Sequence, residues 1–240
     1  MRSTTLFSTL KPLAVAAVGI FALALVQPAH ATIITYTLDS YVGSGTAGAP
    51  PYGTVELNDN GGSNVTVTLT LTSVEGLVKT GAGEALMWDL FADTTPQASL
   101  TITNTDGTAF GTGATTGFTF DVNGTGLHSG GAGKWDYSIL CATACSHGGS
   151  HPYLSPLSFT IDDVTLSAFV ANNLGYYFGS DICTSVNTTT DKCNPKGLTG
   201  NVVATMAGVT TSVPEPATFA LFAAGLAGLG FALRRRAHKI

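Results

Sequence analysis

Of the 240 residues, 44% are hydrophobic, only 10% are charged and 29 are glycine, with a formal net charge of −5. That value hides an uneven spread: from Thr32 to Ser212, four lysines and no arginine stand against fourteen acids, which leaves −10, while the chain ends carry most of the cations. A body so acidic lacks the basic footprint that DNA or RNA requires, so nucleic acid is a poor partner.

The chain opens with Arg2 and Lys11, an apolar run from Leu13 to Val26, a helix-breaking Pro28, and Ala29-His30-Ala31. This is the order of a signal peptide, with Ala29 and Ala31 as the small residues of the cleavage site. Residues 1–31 are therefore assigned to a signal peptide, read by the Sec machinery and by signal peptidase, with the mature chain beginning near Thr32. The next segment, residues 32–212, is long enough for one domain with its own core.

In that region the hydrophobic period is two. Val65, Val67, Leu69 and Leu71 alternate with Thr66, Thr68, Thr70 and Thr72, apolar side to the core and hydroxyl side to water. Ile34-Tyr36-Leu38, Leu100-Ile102, Phe118-Phe120-Val122 and Trp135-Tyr137-Ile139 repeat the pattern. Shorter strands are predicted at Val55–Leu57, Leu86–Phe91, Phe159–Leu166, Tyr176–Ser180 and Gly200–Met206. Asn58–Gly62, Thr105–Thr108 and Val122–Gly126 read as breakers between them. No helical period and no internal repeat is visible. The pattern predicts an all-β fold, an antiparallel β-sandwich of the jelly-roll kind, with Thr211–Pro216 as a linker behind it.

Four cysteines lie in this body, Cys141 with Cys145 and Cys183 with Cys193. An even set in an exported chain favours disulfides; spacing leaves three connectivities open, of which the two local pairs are preferred. Cys141, Cys145, His147 and His151 also spell C-x3-C-x-H-x3-H, the ligand types of a tetrahedral zinc site. Crowding into eleven residues and an oxidising compartment weigh against that alternative, and no metal or other cofactor is assigned.

Catalytic patterns are thin. Ser146 beside His147 is adjacency rather than a triad, and there is no G-x-S-x-G elbow. Glu56, Glu75, Glu84, Asp89, Asp162 and Asp163 offer carboxyl groups for glycosidase chemistry, yet no spacing aims two of them across a cleft. The D-N-G and D-V-N-G turns supply oxygens without an EF-hand pattern. No catalytic residue is predicted, and the chain is read as a non-enzyme.

The most specific stretch is the last, VPEPATFALFAAGLAGLGFALRRRAHKI at residues 213–240. Pro214, Glu215 and Pro216 fix an extended, non-helical segment. Residues 217–233 form a 17-residue apolar run, about 25 Å long as a helix, slightly short of a bilayer core of about 30 Å. Arg234, Arg235 and Arg236 then act as a stop-transfer block held on the cytoplasmic side. The expected topology places the body outside, tied by one transmembrane helix.

Three unlike elements in this order at a chain end resemble the PEP-CTERM sorting signal of exopolysaccharide-producing Gram-negative bacteria. The resemblance implies recognition by exosortase, an integral-membrane cysteine protease or transpeptidase, with Pro214, Glu215 and Pro216 as its motif and residues 217–233 as a transient anchor. It covers only these 28 residues and speaks of traffic, not activity. It implies export across the inner membrane, temporary anchoring, and delivery to the cell surface or biofilm matrix, where exopolysaccharide is a further partner to consider. The body then has two readings: a structural or adhesive surface protein, or a secreted carbohydrate-binding or carbohydrate-active β-sandwich. Exposed Trp88, Trp135, Tyr176 or Tyr177 on a concave face would favour the second; burial of those rings would favour the first.

Overall fold

The computed structural model describes residues 31–45, 47–80, 84–91, 102–104, 117–141, 145, 148–154, 156–187, 189–190, 192–194, 198–213 and 225–226. The chain divides into two compact units, Ala31–Val213 and a second made of Met1–His30 with Pro214–Ile240. In the second unit only Gly225 and Leu226 are described, both helical. Among the described residues no helix is long and apolar enough to cross a membrane. The run 217–233 lies, but for those two residues, outside the described part.

The unit Ala31–Val213 is built from strands: β1 (Ala31–Leu38), β2 (Ser40–Tyr41), β3 (Gly53–Asn58), β4 (Val65–Leu71), β5 (Gly76–Leu77), β6 (Leu86–Leu90), β7 (Ile102–Asn104) and β8 (Phe118–Ser129). Further along the chain are β9 (Gly133–Cys141), β10 (Leu157–Ile161), β11 (Phe169–Val170), β12 (Phe178–Cys183), β13 (Val186–Asn187), β14 (Lys192–Cys193), β15 (Thr199–Ala204) and β16 (Val209–Val213). One large sheet runs β16-β1-β3-β4-β10-β7 and a second β2-β15-β12-β6-β9-β8, with β11 on β6 and β5 on β12; β13 and β14 form a separate two-stranded sheet. All the pairings are antiparallel.

Alternation drives the first sheet. In β3 and β4 every second residue is buried, Val55 and Leu57 opposite Leu69 and Val67, while the threonines of β4 face outward. Thr66 and Thr68 meet Thr160 and Ser158 of β10 there through hydroxyl contacts of 3.3 and 2.9 Å. The inward residues of this sheet pack on those of the second in one core. At its centre the Trp88 ring lies 5.5 Å from Phe159 of the opposite sheet and stacks on Tyr137 and Phe120 of its own. Tyr36 reaches across to Phe178 in an edge contact at 4.9 Å. The fold is thus an all-β sandwich.

The second sheet departs from simple alternation. All six residues of β12 are buried, as expected of a central strand covered on both faces. Phe178, Ser180 and Ile182 point into the sandwich, with the Ser180 hydroxyl donating to the Ala85 carbonyl at 2.7 Å. Over the outer face lie Met87, Ala132, Trp135 and Val203 at one place and Val78, Cys183 and Val186 at another.

The structure corrects three sequence expectations. The strand predicted at Phe159–Leu166 ends at Ile161, with Asp162 and Asp163 in a turn and Leu166 opening a short 3-10 helix. Val122–Gly126 does not separate two strands: β8 runs through it, and the glycines are accommodated by a register shift between Val122 and Leu127 against β9. Thr211–Val213 is not linker but the end of β16. Thr105–Thr108 and Leu100 lie outside the described residues.

Because Trp88 is fully buried where both sheets meet, Trp88→Ala should cost about 3–5 kcal/mol. Urea unfolding followed by far-UV circular dichroism would measure it, and a cost under 1 kcal/mol would contradict this packing.

Candidate functional site

The two ends of the described body meet in one ladder. Ala31 pairs with Val213, Thr32 with Ser212, Ile33 with Thr211, Ile34 with Thr210 and Thr35 with Val209. Of the sites read from the sequence, Ala31 therefore stands at the first position of β1, opposite the residue that precedes Pro214. Ala29, Pro214, Glu215, Pro216, Arg234, Arg235 and Arg236 lie outside the described residues.

Around this ladder the anchors are specific. The Thr32 amide donates to Asp59 Oδ1 at 2.7 Å, and the Asp59 amide donates back to the Thr32 carbonyl at 3.2 Å. Upstream of β16, Thr205 is held twice by Asp39, through its amide at 3.0 Å and its hydroxyl at 2.8 Å. Gly208 lies flat on β1: a Cβ there would stand 2.3 Å from Ile34 Cγ2 and 3.0 Å from the Tyr36 ring. Val209 to Ser212 are all exposed, so β16 is held by backbone pairing rather than by burial.

The cysteines form Cys141–Cys145 and Cys183–Cys193, with Cα atoms 5.2 and 6.0 Å apart. Joined to each other, the Cys141 and Cys145 sulfurs are not thiolates, and so are not available here as the two sulfur ligands of the Cys141, Cys145, His147, His151 alternative. His147 lies outside the described residues, and His151 is exposed just past the turn Gly148–Ser150. Among the described residues no group of three or more His, Cys, Asp or Glu is placed to hold a metal ion. The two bridges abut: a Cβ on Gly149 would stand 2.9 Å from Cys193 Cβ, so the turn after Cys145 packs on the second disulfide.

Carboxyl groups are buried in places that sequence spacing did not single out. Asp181, fully buried on β12, accepts from the Thr80 hydroxyl at 2.8 Å and from the Thr80 amide. Burial raises its pKa to about 6 against the lowering effect of those hydrogen bonds. Glu84 is pushed up to about 7, mainly by burial, although Lys79 Nζ lies 3.6 Å from its Oε1; Asp121 and Asp181 push in the same direction as burial. Burial alone lifts Glu75 to about 7. Asp89 rises to about 6 for the same reason, partly offset by the Asp136 amide, which donates to it at 2.7 Å. Of the other carboxyls named from sequence, Glu56 is half-buried on β3, while Asp162 and Asp163 form the turn after β10. Asp181 was missed because its only sequence signal is an acid inside an otherwise uncharged strand.

The four rings whose exposure would favour sugar binding are buried or half-buried. Trp88 and Trp135 are fully buried, and Tyr176 and Tyr177 are half-buried against the two cores.

The class these features define is a disulfide-stapled β-sandwich whose last described strand ends at Val213, directly before Pro214 in the sequence. Compared with known families, residues 212–236 match the PEP-CTERM protein-sorting motif, so the chain carries that motif at its C-terminal end. No curated protein and no solved structure matches the chain.

The four raised carboxyls give stability a definite pH dependence. Each binds its proton more tightly in the folded than in the unfolded chain, so the folded state holds more protons between about pH 4 and pH 7. Stability should therefore fall as pH rises through that window. Urea midpoints at pH 4.5, 6 and 8 should decrease in that order, and the double variant Glu75→Gln/Glu84→Gln should flatten the trend; an unchanged slope would contradict the assignment.

Proposed function

We propose that the chain is a non-enzymatic exported protein of a Gram-negative bacterium, sorted by exosortase to the cell surface or biofilm matrix, where its acidic β-sandwich has a structural or adhesive role. The observation that carries the reading is the PEP-CTERM motif at residues 212–236, which begins inside the last strand of the disulfide-stapled body. Sec export and signal peptidase would deliver the body across the inner membrane, residues 217–233 would anchor it briefly, and Arg234 to Arg236 would stay behind. Burial of both tryptophans supports the structural or adhesive role over the carbohydrate-binding or carbohydrate-active alternative, because neither ring presents a face on which a sugar could stack.

The N-terminal contacts suit the same processing. Cleavage after Ala31 would turn the Thr32 amide into an ammonium group beside Asp59 Oδ1, exchanging an amide–carboxylate hydrogen bond at 2.7 Å for an ion pair. Asp59→Asn should then lower the stability of the mature body by about 1 kcal/mol, while costing less in a chain whose Thr32 is still acylated. Thermal unfolding of the two forms, each with and without the substitution, would measure the difference. An equal cost in both forms would count against a mature start at Thr32.

The central test is the C-terminal peptide of the protein recovered from cells. The wild type should lack the arginine-bearing tail, whereas a variant with Pro214, Glu215 and Pro216 replaced by alanine should retain it. An intact tail in both would overturn sorting by cleavage.

A further inference from the structure

Resting on the proposed sorting by exosortase, we infer that β16 is a removable guard over the cut site: β1 and exosortase compete for the same backbone, and the tail is cut only after β16 peels away from β1. Thr210 to Val213, the residues that would fill the cleft on the N-terminal side of the motif, are paired with Ala31 to Ile34. Proteases that read extended substrates hydrogen-bond the backbone on both sides of the bond they cut, in the manner of an added strand. A strand with one edge fixed to a six-stranded sheet cannot be enclosed in such a cleft.

The structure makes release local. Val209 to Ser212 bury no side chain, and β16 is the edge strand of its sheet, so peeling it leaves the core intact. Just upstream, Thr205 is fastened to Asp39 and Ala204 is fully buried, which stops the opening from spreading into β15. Gly208 is the hinge between the fixed and the removable parts. Only a residue without Cβ lies so close to Ile34 and Tyr36, and its contact with β1 sets how firmly β16 is seated. Such edge segments open at far lower free energy than the body they belong to.

Folding of the body thereby regulates its own processing. A folded body keeps the nonprime side of the site paired most of the time, and the cutting rate tracks the population in which β16 is free.

The test uses the full-length chain incubated with membranes that contain exosortase, with release of the arginine-bearing tail monitored by mass spectrometry. In Ile33→Cys/Thr211→Cys the paired positions fall within the Cα separation a disulfide accepts, so oxidation should lock β16 to β1. The locked chain should be cut at least about tenfold more slowly than wild type, with the rate recovered on reduction, the wild type serving as control under both conditions. Inserting five Gly/Ser residues between Val213 and Pro214 should restore cleavage even in the locked chain. Gly208→Leu, which would unseat β16, should be cut several-fold faster than wild type. Cleavage of the locked chain at the wild-type rate would overturn the inference, since the motif would then be read with β16 still paired, for instance along its open edge. If neither the wild type nor the chain with the insertion is cut, the sorting reading fails and takes the inference with it.

Discussion

The body depends on β1 being hydrogen-bonded along both edges. On one side it pairs with β3 from Ile33↔Asn58 to Leu38↔Gly53; on the other it pairs with β16 from Ala31↔Val213 to Thr35↔Val209. The first pairing carries the core, because Tyr36 and Leu38 are buried and Tyr36 bridges to Phe178 of the second sheet. The second carries almost no apolar burial. One strand thus joins the most secure part of the sandwich to its least secure part, and the transition falls within the eight residues of β1. Without β1 the sheet would end at β3 and β16 would have no partner among the described residues.

Much of the sandwich was legible because one-sided sheets write themselves as alternation. Val65–Leu71 is the clearest case, with threonines on the outer face and apolar residues inside. Strands buried on both faces do not alternate, and β12 escaped a full reading for that reason: FGSDIC contains a glycine, a serine and an acid, yet every residue is buried. β16 was hidden by the opposite condition. VTTSV is exposed at its first four positions and ends against a proline, so polarity and neighbourhood suggest linker. Only the pairing with β1, which joins the two ends of the body, makes it a strand, and local pattern does not report such contacts. The tail was legible for a different reason, since a sorting signal has to be recognisable as a linear segment.

The acidity of the body acquires a second meaning in the structure. Fourteen acids against four lysines suggested a solvated, repulsive surface, and for most of them that remains the simplest reading. Asp181, Glu84, Asp89 and Glu75 do not belong to that surface. Desolvation is the first cause of every one of their shifts, and the compensating groups are few: Thr80 for Asp181, Lys79 for Glu84, the Asp136 amide for Asp89. Their protonated forms fit the interior better than their charged forms. Net charge therefore overstates the charge the folded body carries in mildly acidic surroundings.

Signal and body are not separable segments joined by a spacer. The matched motif starts at Ser212 while β16 ends at Val213, so two residues belong to both. A tail that shared no residue with its body could be read at a rate indifferent to folding. Here the last residue of the sheet directly precedes the first proline, and proline cannot donate the next ladder hydrogen bond. The ladder of β16 therefore stops at Val213, where the chain meets a residue that has no backbone donor to extend it. Architecture and address thus overlap at Ser212 and Val213, so what holds those two residues in the sheet also holds the start of the motif.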